Sequence, residues 1–155
     1  MRLTTKGRFA VNAMIDLTRN EGRNPVSLAS ISERQDISIA YLEQLFNKLR
    51  RRDLVKSVRG PSGGYRLARH PADISVADIV FAVNEPLDTT RCQGNGNCRQ
   101  SPKGNVECIT HNLWANLNER IIAYLESISL QELAENRQEQ PLKEPCGPVS
   151  YSKIF

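Results

Sequence analysis

The chain has 155 residues, 39% of them hydrophobic, and a formal net charge of +4. That length holds one ordinary domain, or a small domain with an oligomerisation element. It shows no repeat of solenoid length, and its longest apolar run, Ile79 to Val83, is far too short to cross a bilayer.

The charge is unevenly spread. Residues 1–70 carry fourteen Lys/Arg against six Asp/Glu, a net of +8, whereas residues 71–155 carry a net of −4. A basic half joined to a mildly acidic one is the pattern of a nucleic-acid binder. The opening Met1-Arg2-Leu3-Thr4-Thr5-Lys6 has no apolar core segment, so no secretory signal is expected. A cytoplasmic protein with reduced thiols follows, and its four cysteines then point to metal or redox chemistry before disulfides.

Ala10, Ala13, Met14 and Leu17 follow the spacing of one helical face. That helix is expected to end near Asn20–Gly22, with a turn at Pro25. Ser27 is placed to cap a short second helix carrying Leu28, Ala29 and Ile31. Gln35-Asp36-Ile37 reads as a tight connection. Ser38 then caps a third helix that buries Leu42, Leu45, Phe46 and Leu49. Its opposite pole holds Ala40, Gln44, Asn47 and Arg51, flanked by Tyr41, Glu43, Lys48 and Arg50. Two helices joined by a short turn, with a polar and basic outer face on the second, fit helix-turn-helix geometry.

Leu54 to Val58 reads as a strand, Gly60-Pro61-Ser62-Gly63-Gly64 as a tight turn, and Tyr65-Arg66-Leu67 as the return strand. A hairpin straight after a recognition helix is a wing. Arg59, Arg66 and Arg69 decorate it, and Arg59 is placed to enter a minor groove. The expected fold is mainly α: a winged helix-turn-helix with a two-stranded wing over residues 1–83, plus a long dimerisation helix.

Ser75-Val76-Ala77-Asp78 resembles a capping box opening a fourth helix. A Gly- and Asn-rich loop without secondary structure follows, from Asn84 to Asn105. From Thr110 a longer helix carries Trp114, Leu117, Ile121, Tyr124 and Ile128, with Leu113 and Ile122 broadening its apolar face. A helix that is apolar on much of its circumference buries it twice, on its own domain and on a partner. The expected partner is a second copy. Ser129-Leu130-Gln131-Glu132 opens a last short helix, so residues 110–136 form the dimerisation region. Residues 137–155 read as a disordered tail, with Cys146 an unrelated free thiol.

Residues 84–109 form a candidate metal-binding loop. Cys92, Cys98, Cys108 and His111 are spaced C-x5-C-x9-C-x2-H across it and into the following helix. Three thiolates and an imidazole suit either zinc or an iron–sulfur cluster. Structural zinc favours close cysteine pairs, and only Cys108 and His111 are that close here. No Ser–His–Asp or paired-carboxylate arrangement is indicated, and two histidines leave little acid–base chemistry, so no enzyme activity is expected.

Several segments are similar to the bacterial iron–sulfur cluster regulators, a family of winged-helix transcription factors. They are Met1 to Val11, Ile31-Ser32-Glu33-Arg34-Gln35, Tyr41-Leu42-Glu43-Gln44-Leu45-Phe46, Ser57-Val58-Arg59-Gly60-Pro61 and Thr90-Arg91-Cys92-Gln93-Gly94. The resemblance spans residues 1 to about 136. It implies a homodimer that binds a 2Fe–2S cluster through Cys92, Cys98, Cys108 and His111. It implies repression of the regulator's own cluster-assembly operon when the cluster is bound, and action of the cluster-free form at a second promoter class. It also implies that Gln44 and Arg59 touch DNA and that Glu43 disfavours one operator class without the cluster. The candidate DNA contacts are therefore Ser38, Ala40, Tyr41, Glu43, Gln44, Lys48, Arg50, Arg51 and Arg59. The partners implied are a double-stranded operator, a second copy and iron–sulfur scaffold proteins as cluster donors, with no membrane.

Two departures stand out. The Cys98–Cys108 gap is longer than the five residues usual in the family, and Ala40 replaces a serine, losing a hydroxyl contact. A nitric-oxide-sensing branch is the alternative. Some of its members use a carboxylate near the N-terminus as a ligand, a role Arg8 cannot take and His111 fills.

Overall fold

A computed structural model describes residues 5–84, 100–101, 104–105 and 111–135. Helix α1 (Thr5–Asn20) buries Ala10, Ala13, Met14 and Leu17, the periodic set. Helix α2 (Leu28–Gln35) starts where the Ser27 side chain accepts the Ser30 N–H. It ends at Asp36, in left-handed backbone at φ 53°, whose N–H returns to the Ser32 carbonyl. This is the tight connection to helix α3 (Ile39–Arg51), which Ser38 caps by accepting the Tyr41 N–H. One expected apolar position differs. Ala29 is exposed, because a helix this short turns only Ile31 fully into the core.

Leu42, Leu45, Phe46 and Leu49 of α3 are buried against α1 and α2. Phe46 meets Tyr65 edge-on at 4.8 Å between ring centres. Truncating a core ring such as Phe46 to alanine costs about 3–5 kcal/mol.

Strands β1 (Val55–Val58) and β2 (Gly64–Leu67) pair antiparallel, Val55 opposite Leu67 and Val58 opposite Gly64. The hairpin does not stand free. Val26, between α1 and α2, exchanges two backbone bonds with Tyr65, at 2.8 and 3.0 Å. That approach requires Gly64, since a Cβ there would meet the Val26 carbonyl oxygen at 2.3 Å.

Helix α4 (Val76–Ala82) opens on a full capping box: Ser75 Oγ accepts the Asp78 N–H while Asp78 Oδ2 accepts the Ser75 N–H. Gln100–Ser101 and Gly104–Asn105 pair as strands β3 and β4, two residues each, inside the segment expected to lack secondary structure. Helix α5 (His111–Ser127) is followed by α6 (Leu130–Glu135). Ser129 Oγ accepts the Glu132 N–H at the start of α6. Leu130 is fully buried in the core that α1 and α3 build, and Ser75 and Ser129 form a backbone bridge.

Helix α5 has the two apolar faces expected of it, but Ile128 parts from Trp114, Leu117 and Tyr124, with which its spacing grouped it. Ile122, Leu125 and Ile128 pack inward on Val76 and Val80 of α4. Leu113, Trp114, Leu117 and Tyr124 remain exposed, at 61, 42, 38 and 66%. The inward choice is set by where α4 presents its two valines, so Ile128 joins the inner face.

Candidate nucleic-acid interface and cysteine segment

The outer face of α3 is polar from Glu43 onward, with Ala40 in its first turn. Ala40, Glu43, Gln44, Asn47, Arg50 and Arg51 are all exposed, as is Ser38 before the first turn. Glu43, Gln44 and Arg51 have no side-chain hydrogen bond to any described residue. Arg50 Nη2 donates to Asn47 Oδ1 at 3.3 Å, which steadies both side chains on one edge. Tyr41 is half-buried, its ring edge-on to Phe9 at 6.0 Å, leaving part of the side chain at the surface.

Lys48 is placed differently from Arg51. It is half-buried and donates to the Val83 carbonyl at the end of α4, at 3.4 Å. The adjacent Lys6 side chain holds the Lys48 ammonium below the ordinary lysine range. Partial burial and the repulsion of Lys6 and Arg51 push the same way.

Arg59 is exposed at the end of β1, beside Gly60, which takes φ 119°. Arg66 does not decorate the wing's outer face as the sequence suggests. Its guanidinium donates to the Gly22 and Arg23 carbonyls and lies 3.9 Å from Glu21 Oε1. Arg69 donates to the Asp53 carbonyl at 3.3 Å. Both are committed within the protein because strand alternation turns Arg66 toward the α1–α2 connection, a proximity no local pattern announces. Lys56, exposed on β1, is a wing cation the motif reading passed over.

Helix α1 is tied to α2 by an ion pair whose acid is buried and whose guanidinium reaches solvent. Asp16 on α1 is 5% exposed; Arg34 of α2 donates to it through Nε and Nη2, the latter at 2.6 Å, and Gln35 adds a bond at 2.9 Å. The bond to Asp16 raises the Arg34 pKa further above its ordinary value. Sequence reasoning missed this triad, because a single acid among apolar residues carries no partner signal.

Cys92, Cys98 and Cys108 lie outside the described residues, as do most of residues 84–109 and the expected tail with Cys146. His111 is described only as the first residue of α5. The donor set still has a chemistry. Three thiols and an imidazole match the ligation of a small iron–sulfur cluster, and Cys108 lies three residues before a 17-residue helix. The positive end of a helix favours the anionic charge that thiolates bring. Among the described residues no group of His, Cys, Asp and Glu side chains could hold a metal ion, and no helix is long and apolar enough to cross a membrane.

A three-helix core, a recognition helix with an open polar face and a latched hairpin define a winged helix-turn-helix transcription regulator that binds DNA. The chain belongs to the Rrf2 family of iron-dependent transcriptional regulators, whose model matches residues 3–136. It is 53% identical over 138 residues to the HTH-type transcriptional regulator IscR of Photorhabdus laumondii, covering 89% of this chain and 82% of that protein. Among solved structures it is similar to T. potens IscR, at 37% identity and a TM-score of 0.70, covering 91% of this chain and 94% of that one. CymR, the global cysteine regulator of B. subtilis, superposes with a TM-score of 0.71 at 32% identity, covering 89% and 99%. These are regulators, not enzymes.

Proposed function

We propose that this regulator binds a 2Fe–2S cluster through Cys92, Cys98, Cys108 and His111 and controls genes of iron–sulfur cluster assembly, repressing its own operon when loaded. The observation that carries the reading is the donor set itself, three thiols and one imidazole within twenty residues of sequence that lead up to the start of α5. The description of its family as iron-dependent transcriptional regulators agrees with it. When bound, the cluster would supply a redox-sensitive link between the segment after α4 and the start of α5.

The chain's own residues then do the rest. Leu113, Trp114, Leu117 and Tyr124 present an apolar face that a second copy covers, giving a homodimer with two α3 helices for two half-sites. Gln44 reads adenine by a bidentate pair, and Ser38, Ala40 and Tyr41 line the same groove. Lys48, Arg50 and Arg51 serve phosphate, and Arg59 enters the minor groove from the wing. Glu43 faces the groove as a carboxylate, unfavourable beside phosphates and satisfied only by a donor such as cytosine N4. It therefore penalises sites lacking that partner.

Anaerobic purification tests the reading. Visible absorption with two irons and two sulfides per chain is expected, whereas stoichiometric zinc in colourless protein overturns the cluster. Cys92→Ala should lose the colour yet keep part of its DNA binding. Glu43→Ala should let colourless protein bind operators otherwise reserved for the loaded form. Equal loss on both operator classes in Cys92→Ala, unrescued by Glu43→Ala, reduces the site to a structural staple.

A further inference from the structure

Ile39 opens α3 immediately after its cap, Ser38, and is 46% exposed. The helical period sets it close to Phe46, on the side that buries, yet it takes no place in the core cluster. Tyr41, two residues on, is packed against that core. A large β-branched side chain thus stands in water at the N-terminal turn of the recognition helix. The N-terminal residues of such a helix are those that reach base edges. The apolar mark on the major-groove floor is the thymine 5-methyl group.

We infer that Ile39 is a specificity-determining residue that packs on one thymine methyl in each half-site of the operator. The inference rests on α3 being the reading helix. It also fixes where the thymine lies. Ile39 and Glu43 are four residues apart and share one flank of α3. One helical turn advances about 5.4 Å and one base step about 3.4 Å. The thymine therefore lies one or two base pairs from the base that faces Glu43. The exposed methyl of Ala40 borders the same spot, so the first turn of α3 offers an apolar end and Glu43 to Arg51 a polar one.

The test removes the methyl from DNA and from protein separately. An operator selected from random DNA by the full-length, cluster-loaded protein is remade with single deoxyuridines replacing each thymine. The parent protein should lose about three- to tenfold affinity at one thymine per half-site, one or two base pairs from the position whose preference Glu43→Ala changes. Ile39→Ala should bind the unmodified operator more weakly by a similar factor and be indifferent to that deoxyuridine. Ile39→Val, with the same branching, should keep part of the sensitivity. A parent protein indifferent to every deoxyuridine, or an Ile39→Ala protein that keeps the full penalty, overturns the inference. Gln44→Ala on the same panel separates the levels. If it leaves every base preference intact, α3 is not the reader and the underlying reading fails. If it changes a preference while deoxyuridine has no effect, only the role of Ile39 fails.

Discussion

Lys6 and Lys48 donate to consecutive carbonyls at the end of α4: Lys6 Nζ to Asn84 at 3.3 Å and Lys48 Nζ to Val83 at 3.4 Å. Two ammonium groups from α1 and α3 are thereby drawn together where the chain leaves α4 for the cysteine segment. The partial negative charge of the helix end holds them, and their mutual repulsion opposes it. Because the Lys48 pKa is lowered in the fold, the pair adds stability as pH rises through the window just below the ordinary 10.5, and that gain is absent at lower pH. The difference in unfolding free energy between the parent and Lys48→Met should therefore move in the parent's favour as pH rises toward the ordinary lysine range. Urea titrations at matched pH values measure it, and a flat difference contradicts the arrangement.

The Asp16–Arg34–Gln35 triad locks α1 to α2. Asp16→Ala leaves the donors of Arg34 and Gln35 without their buried acceptor and should destabilise the fold by about 1–3 kcal/mol. Arg34 is partly in solvent and recovers some hydration, so the larger penalties of a fully buried pair do not apply. Chemical denaturation of cluster-free protein gives the number. A change under about 0.5 kcal/mol would falsify a structural role for the triad.

Leu117 and Tyr124 lie on the exposed face of α5, away from the contact that Ile122 and Leu125 make with α4. Leu117→Arg should leave the monomer folded while preventing self-association. Sedimentation at micromolar concentration should show a dimer for the parent and a monomer for the variant, with operator affinity reduced at least tenfold because two half-sites need two readers. Dimeric Leu117→Arg would mean that another surface pairs the copies.

Gln44 and Arg51 should separate specificity from affinity. Gln44→Ala should cost about 1–3 kcal/mol at a single base position and little elsewhere. Arg51→Ala should weaken all sequences alike and reduce the salt slope by about one. Binding assays across potassium concentrations and operator variants distinguish the two patterns; exchanged patterns would reverse their roles.

Local chemistry made most of the DNA-binding half legible. The cap residues Ser27, Ser38 and Ser75 all act as their positions suggest, since an N-cap is a contact over two or three residues. The buried set of α3 is legible for the same reason, because its period is unbroken. What failed depended on distant parts of the chain. Arg66 turns inward because Gly22 and Arg23 lie beside it across 43 or more residues of sequence. The inner face of α5 is chosen by two valines on α4. The pairing of β3 with β4 is only two residues long, too short to leave an alternating pattern. The candidate ligands Cys92, Cys98 and Cys108 remain a reading of spacing and chemistry, since they lie outside the described residues.

The return of α6 onto α1 has a consequence for synthesis. Leu130 completes the core around Met14 and Leu17, and Arg19 donates to the Ala134 carbonyl at 3.0 Å. A chain emerging from the ribosome exposes its helix-turn-helix long before residue 130 is made. Until then α1 lacks the cover of α6, the Val76 N–H at the start of α4 lacks the Ile128 carbonyl, and the Ile74 carbonyl lacks the Leu130 N–H. The cysteine segment lies between the two halves of this closure, so it is translated before the DNA-binding body can finish folding. No nascent chain presents a completed reading head without having already produced the thiols proposed to govern it.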